Sequence, residues 1–317
     1  MRVLVTGGAG FIGSQFCRAL ANGEYSEFGI EPSLITVLDS LTYAGDLANL
    51  LNLPDDPNFE FIHSSLTNKD IVAELVSKAD LIVNFAAESH VDNSILDGTN
   101  FISSNVTGVV VLLEALKRRR EARMIQVSTD EVYGSIDHGS WDEKQPLEPN
   151  SPYAASKASG DLLVRAYVKT HGLDVILTRC SNNYGPHQHS EKLIPTLIHR
   201  NLRNRPLPIY GTGTNVREWI HVRDHSRALA LLASKGASGE VYNIGTKDER
   251  TNLEIAEILI QLTNSSSKIE FVPDRLGHDQ RYSLDFSKIS KLGWKPETKF
   301  LTGLEETIAW YRKNQTG

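Results

Sequence analysis

Arg2-Val3-Leu4-Val5-Thr6-Gly7-Gly8-Ala9-Gly10-Phe11-Ile12-Gly13 opens the chain, and its reading decides the fold. An apolar run bounded by a glycine cluster predicts a buried strand and a tight turn, and the pattern from Ile12 to Leu20 predicts a helix. Glycines permit the turn and a close backbone approach to a pyrophosphate, Gly13 lets helix and sheet pack together, and the first-turn amides face the phosphates. A glycine triplet alone also serves a plain tight turn. The flanking strand and helix make dinucleotide binding the better reading, with Gly7, Gly10, Phe11, Ile12 and Gly13 as the cradle. Asp39 ends the next predicted strand, where a carboxylate accepts from both hydroxyls of an adenosine ribose and repels a 2′-phosphate. NAD is therefore expected over NADP. The spacing from Gly13 to Asp39 is longer than usual, through an intervening loop around Tyr25 to Pro32.

Outward from this unit, apolar runs alternate with helical patterns. Strands are expected at Val3–Thr6, Leu34–Asp39, Phe59–His63, Leu81–Phe85, Met124–Ser128, Val175–Arg179 and, much later, Val241–Ile244. Helices are expected at Ile12–Leu20, Asp70–Ser77, Val106–Lys117 and Tyr153–His171. The rhythm is that of an α/β, Rossmann-type doubly wound parallel sheet. It breaks after Arg179 into a stretch rich in Asn, Pro, Gly and His, which predicts a smaller α/β C-terminal lobe. Residues 1–180 form the expected dinucleotide-binding domain. The segment 218–244, read as helix then strand, returns to it, and residues 181–317, mainly 181–217 and 245–317, form the second lobe. Ser265–Ser267 reads as a loop.

The composition, 40% hydrophobic and 23% charged over 317 residues, is that of a globular protein, and a net charge of −6 gives no general attraction to nucleic acid or an anionic membrane. No apolar stretch of the sequence approaches the ~20 residues of a membrane span, and no secretory leader pattern opens it, so a cytoplasmic protein is expected. Cys17 and Cys180 fall on a predicted helix and strand, which argues against a disulfide framework or a cysteine-ligated zinc site.

Tyr153 and Lys157 lie one helical turn apart and share a face. A lysine ammonium beside a tyrosine favours phenolate and makes a usable base. Such pairs also occur by chance on surfaces, but this one opens the long helix after the fifth strand. Ser128-Thr129-Asp130-Glu131-Val132-Tyr133-Gly134 follows that strand at its carboxyl end, where open parallel sheets bind ligands. Thr129 can hydrogen-bond a reacting hydroxyl. Asp130 and Glu131 offer two carboxyl groups that different surroundings can divide into acid and base.

The chain resembles the nucleoside-diphosphate-glucose 4,6-dehydratases, extended short-chain dehydrogenases/reductases, over essentially its whole length. The resemblance rests on Thr129–Gly134, Phe85-Ala86-Ala87-Glu88-Ser89-His90-Val91-Asp92, Asn182-Asn183-Tyr184-Gly185-Pro186, Glu191-Lys192-Leu193-Ile194-Pro195, and Gly277-His278-Asp279 leading to Arg281-Tyr282. The Asp130-Glu131 pair is the most diagnostic element, since related epimerases and decarboxylases usually lack it. The resemblance implies a bound NAD and a nucleoside-diphosphate glucose, dTDP-glucose foremost, between the lobes. It also implies a sequence of steps: Tyr153 takes the C4 hydroxyl proton during oxidation, Glu131 abstracts the C5 proton, Asp130 protonates the departing C6 hydroxyl, and hydride returns to C6. On the cofactor side it adds Thr42, Ala44, Gly45, Ser65, Leu66, Ala86 and Ala87. On the substrate side it adds Ser89, His90, Asn182, Lys192, Leu193, Pro208, Tyr210, Arg217, Asn252, Arg275, His278 and Tyr282, among which the cations suit a diphosphate.

His187, His189 and Glu191 lack a defined metal-ligand spacing, and the implied reaction needs no metal. Ser65 stands where the family usually has aspartate, and Asn93 where it has arginine. Helices corresponding to Val106–Lys117 and Ser156–Lys169 pair in family dimers, so a homodimer is expected. A 4-epimerase or decarboxylase of the same superfamily needs the tyrosine and lysine without the two acids, and a non-catalytic dinucleotide sensor needs neither.

Overall fold

The structure, a computed structural model, describes residues 1–50, 53 and 57–314. Its core is a sheet of seven strands: β1 (Arg2–Thr6), β2 (Leu34–Asp39), β3 (Phe59–His63), β4 (Leu81–Asn84), β5 (Arg123–Thr129), β6 (Val175–Cys180) and one late strand, Val241–Ile244. All neighbours pair in parallel, in the order β3-β2-β1-β4-β5-β6 with the late strand beside β6. These are the expected strands, shifted by a residue or two at their ends. Every residue of β4 and β6 is buried, as strands covered on both faces must be. β1 has β2 on one side and β4 on the other, and this reversal opens a crevice at the strands' carboxyl ends.

Helices α1 (Phe11–Ala21) and α2 (Lys69–Lys78) follow the first and third strands. After β4 come α3 (Val91–Leu96), α4 (Thr99–Ile102), a wide π turn at Ser103–Thr107, and α5 (Gly108–Leu116). The apolar helical run is thus longer than the sequence reading gave it. Thr99–Leu116 reaches 18 residues with mean hydropathy 1.3, enough by length and composition for a short membrane span, yet half of it is buried within the fold. That is the environment of a core helix. Next, α6 (Pro152–His171) starts on an N-cap in which Ser151 Oγ accepts the Ala154 N–H at 3.1 Å, and Gly172 ends it at φ 65°. One sheet face packs α1 and a later helix, and the other packs α2, α5 and α6.

Beyond β6 lie β7 (Asn182–Tyr184), α7 (Leu193–Asn201), β8 (Leu207–Tyr210), β9 (Val216–His221) and α8 (Val222–Lys235), then the late strand β10 (Val241–Ile244). β11 (Glu249–Thr251), α9 (Asn252–Thr263), β12 (Ile269–Val272), α10 (Ser287–Ser290) and α11 (Phe300–Lys313) complete the described chain. A three-stranded sheet, β11-β9-β7, and a pair, β12-β8, carry a separate core of Tyr184, Leu197, Trp219, Leu259 and Leu304. One expectation is corrected here. Segment 218–244 opens as strand, because Glu218–His221 pair with β7 and β11, and only α8 and β10 join the large sheet. Residues 315–317 of the expected second lobe lie outside the described residues. Cys17 and Cys180 are buried free thiols on α1 and β6.

Candidate active site

The glycine turn is built by close approach. A Cβ on Gly13 would lie 2.3 Å from the Gly7 carbonyl oxygen, and one on Gly7, whose φ is +72°, would lie 2.5 Å from the Ala86 nitrogen. These are backbone atoms that cannot swing aside. No side chain caps α1 and no acidic residue occupies its first turn. Its positive end faces a cleft of about 1600 Å³, open solvent at the mouth included. Gly7, Gly10, Phe11, Ile12, Gly13, Asp39, Thr42, Ala44, Gly45, Ser65, Leu66, Ala86 and Ala87 all line it. This cradle suits an anionic diphosphate flanked by apolar groups. Asp39 does more than the sequence suggested: its two oxygens accept the Ala9 N–H at 2.9 Å and the Leu41 N–H at 2.8 Å, fixing the turn. Each retains a lone pair toward the cleft. Ser65 Oγ meets Thr67 Oγ1 at 2.9 Å and accepts the Thr67 N–H.

Thr129, Asp130, Glu131, Tyr153 and Lys157 line the inner part of the same cleft. Thr129 caps the short 3₁₀ turn Asp130–Tyr133, its Oγ1 accepting the Glu131 N–H at 3.3 Å and donating to Asp130 Oδ1 at 3.1 Å. Asp130 is 2% exposed and its Oδ2 has no protein partner. Burial, then Glu131 and Glu218, push its carboxyl far above the usual carboxylate range. Glu131 is also raised by burial, but Arg217 and Lys192 oppose the shift. Burial thus raises both adjacent carboxyls, Asp130 the further, with neighbouring acids adding to its shift, while cations offset part of the shift at Glu131.

The tyrosine and lysine behave differently from the sequence argument. Lys157 Nζ donates to the Val127 carbonyl at 2.8 Å, and burial lowers its pKa against the pull of Asp161. Burial, then Glu131, Cys180 and Asp130, raise the Tyr153 phenol well above its ordinary value, with a hydrogen bond from Thr129 in the other direction. Burial and the nearby carboxylates thus act against the phenolate that helical spacing alone suggested. Behind them, Asp161 accepts from Arg179 Nε at 2.9 Å with both side chains 1% exposed, and Arg179 stacks 4.7 Å from the Tyr133 ring.

Of the expected substrate residues, Ser89, Asn182 and Lys192 join Thr129 in the cleft lining. Lys192 Nζ donates to the Ser89 carbonyl at 2.7 Å, bridging the lobes, and Asn182 Oδ1 is buried without a partner. The structure does not bring His90, Leu193, Pro208, Tyr210, Arg217, Asn252, Arg275, His278 or Tyr282 into that lining. His90 instead caps α3, its Nδ1 accepting the Asn93 N–H at 3.3 Å. Leu193 opens α7, Asn252 opens α9, and Pro208 and Tyr210 lie on β8. The rest form a cluster beyond the carboxylates. Arg217 lies 4.4 Å over the Tyr282 ring, Arg275 pairs with Asp92 at 2.6 Å and lies 5.3 Å from the Tyr210 ring, and His278 pairs with Asp274 at 2.7 Å.

Sequence reasoning missed Glu88, Ser128, Cys180, Asn183, His189 and Glu191, which also line the cleft. Glu88, Ser128, Asn183 and Glu191 stand inside quoted stretches without a role of their own there, and His189 enters only as a metal ligand that the spacing argues against. It missed Asn105 too, which lies in the π turn. The Asn105 side chain bonds the Glu88 N–H, the Glu88 carbonyl and Ser156 Oγ, tying the loop after β4 to α6. A wide turn of this kind carried no period that could have been read.

The family model for GDP-mannose 4,6 dehydratase matches residues 4–307. A dTDP-glucose 4,6-dehydratase of Actinoplanes sp. is 50% identical over 319 residues, covering 100% of this chain and 99% of its own. Another, from Streptomyces niveus, is 50% identical over 317 residues, with 99% and 94% covered. The crystal structure of DesIV, the dTDP-glucose 4,6-dehydratase of Streptomyces venezuelae, solved with NAD bound, superposes with a TM-score of 0.97 at 51% identity, covering 99% of this chain and 98% of that one.

Proposed function

The chain belongs to the GDP-mannose 4,6-dehydratase family, and on that premise we propose that it is an NAD-dependent hydro-lyase converting dTDP-glucose to dTDP-4-keto-6-deoxyglucose for deoxysugar biosynthesis. One observation carries the reading: Asp130 and Glu131, adjacent in sequence, stand in one cleft with Tyr153, Asp130 raised mainly by burial and neighbouring acids and Glu131 offset by neighbouring cations. An epimerase has no use for that division.

NAD, when bound, would supply the hydride acceptor for C4 and the hydride donor for C6. Tyr153 takes the C4 hydroxyl proton, with Thr129 bonded to it as a second polar contact for that hydroxyl. Lys157, anchored on Val127, holds a cation beneath the reacting groups. The resulting ketone acidifies C5–H. Glu131, kept toward its charged form by Arg217 and Lys192, removes that proton. Asp130, protonated by its surroundings, gives its proton to the C6 oxygen, which departs as water. A proton then returns to C5, and the net change is loss of water without oxidation.

Lys192, Ser89 and Asn182 fit the sugar diphosphate at the lobe junction, and Arg217, Arg275 and Tyr282 its nucleotide side. Residues 1–180 with 222–244 serve as the cofactor lobe. The working form we propose is a cytoplasmic homodimer with no membrane or nucleic-acid partner, paired through the faces on which Ile102 and Leu162 are 53% and 54% exposed. Light scattering of the purified protein giving one protomer's mass would overturn the dimer. For the activity, incubation of NAD-loaded protein with dTDP-glucose should give the alkali-developed absorbance of a 4-keto sugar. Absence of that product with dTDP-, UDP- and GDP-glucose alike defeats the reading, and an epimer or a decarboxylated sugar points to the superfamily alternatives.

A further inference from the structure

Resting on that reading, a third carboxyl group stands behind the pair, and neither the motif nor the proposed chemistry uses it. Glu218, on β9 of the smaller lobe, is 0% exposed. Its Oε1 accepts the N–H groups of Thr246 and Lys247 at 2.5 and 3.1 Å, and its Oε2 accepts that of Leu284 at 2.9 Å. Burial raises its pKa, and the three amides pull the other way. All three partners donate, the set that favours a carboxylate over the protonated acid.

The fold makes room for this charge. A Cβ on Gly245 would lie 2.2 Å from Glu218 Oε1, so the residue after β10 must be glycine for the carboxylate to sit there. Register places that seat on the same edge of the sheet as the acid, about 10 Å across it: Thr129, Cys180 and Ile244 form one row across β5, β6 and β10, and Asp130 and Gly245 are the next residues at its two ends. Leu284, whose amide Glu218 holds, packs with Val132 and Tyr133 on the turn that carries Asp130.

Arg217 and Glu218 are consecutive on a strand, so their side chains leave on opposite faces. Arg217 acts first among charges on Glu131, and Glu218 acts on Asp130. A consecutive cation–anion pair on one lobe thus meets a consecutive acid–base pair on the other. We propose that Glu218 is a positioning residue for the leaving-group acid: its buried carboxylate, seated on three backbone amides beyond the end of the Thr129–Cys180–Ile244 row, holds the proton on Asp130. The other groups facing Asp130 are Glu131, Thr129 and Arg217, and Tyr153 and Cys180 feel its charge in turn, while Glu218 itself is faced by Glu249, whose charge Arg281 holds at 2.7 Å.

The test is the pH dependence of kcat for dTDP-glucose dehydration by the NAD-loaded enzyme. Glu218→Gln keeps the shape and removes the charge. The high-pH arm, where the acid loses its proton, should move down by about one pH unit, making the variant about tenfold slower than wild type above that arm. Glu218→Asp keeps a charge and should leave the arm in place. In an Asp130→Asn background, Glu218→Gln should move nothing further. A merely structural role would scale the profile without shifting it, so an unshifted arm in Glu218→Gln, or equal shifts in the Gln and Asp variants, overturns the inference. Should the Gln variant not fold, isotope-edited infrared spectra of wild-type holoenzyme decide: a protonated carboxyl band at pH 7 that vanishes in Asp130→Asn is expected, and its absence overturns the proposal. A wild type inactive on every sugar nucleotide would instead refute the dehydratase reading while leaving the infrared result to stand.

Discussion

Replacing Glu131 by glutamine separates the steps of the reaction that the cleft assembles. The amide matches the carboxylate in size, and the change removes one negative charge facing Arg217 and Lys192, so substrate diphosphate should bind at least as well. Glu131 is also the largest charge raising the Tyr153 phenol, so its removal lowers that pKa, and C4 oxidation should persist and extend toward lower pH. Only C5 deprotonation loses its base. Removing a general base costs about 10²- to 10⁴-fold, or about 2.7–5.4 kcal/mol of barrier. The oxidised sugar and reduced nicotinamide should therefore accumulate together. Stopped-flow absorbance of reduced nicotinamide after mixing with dTDP-glucose should show a burst approaching one per active site, followed by slow decay to product. Loss of turnover with no burst at any pH would refute the assignment, because Glu131 would then act in or before oxidation.

Gly13→Ala should purify without NAD, since its Cβ would meet the Gly7 carbonyl oxygen at 2.3 Å and force the turn away from the phosphates; a full complement of cofactor in this variant would disprove the cradle. Wild-type protein, by contrast, should carry stoichiometric NAD through many turnovers, because hydride leaves and returns within one sugar, and obligatory release of reduced cofactor each cycle would contradict the proposed chemistry. Asp161→Asn should destabilise the fold by about 3–5 kcal/mol in urea unfolding, because it leaves the 1% exposed Arg179 guanidinium without its anion; a loss under about 1 kcal/mol would show that Tyr133 and the remaining amide suffice. His225 is fully buried and its pKa is pushed down by burial to about 3, so unfolded chains gain a proton below about pH 6.5 that the fold refuses, and stability falls as pH drops. Between pH 7 and 5.5 this one group costs about 1.3 kcal/mol, which should be missing from the pH dependence of His225→Gln.

The large sheet was legible because its inner strands are apolar runs with both faces covered and its edge strand β3 alternates apolar with polar residues, and the glycine turn because no other residue fits where Gly7 and Gly13 approach backbone. Chemistry near the acids was legible as residue types at the end of β5. Thr129, Asp130 and Glu131 point to a general acid and base because they follow a sheet strand at its carboxyl end; in an arbitrary loop two adjacent acids would read as a solvated turn. How far each carboxyl is shifted required the fold, since burial dominates at both and Arg217, Lys192 and Glu218, which modulate it, are distant in sequence. The same holds for Tyr153 and Lys157: helical spacing put them on one face, but burial and the nearby carboxylates, which no spacing reveals, raise the phenol. Segment 218–244 shows the limit for backbone as well, because a short run such as Glu218–His221 becomes strand only through partners from β7 and β11. Sequence by itself determined the glycine turn and the sheet and put the candidate reacting groups at the carboxyl end of β5, all of which depend on local pattern and sterics. Tertiary structure alone decided the protonation and pairing of those groups, because electrostatic energies depend on distance through a low-dielectric interior and not on separation along the chain.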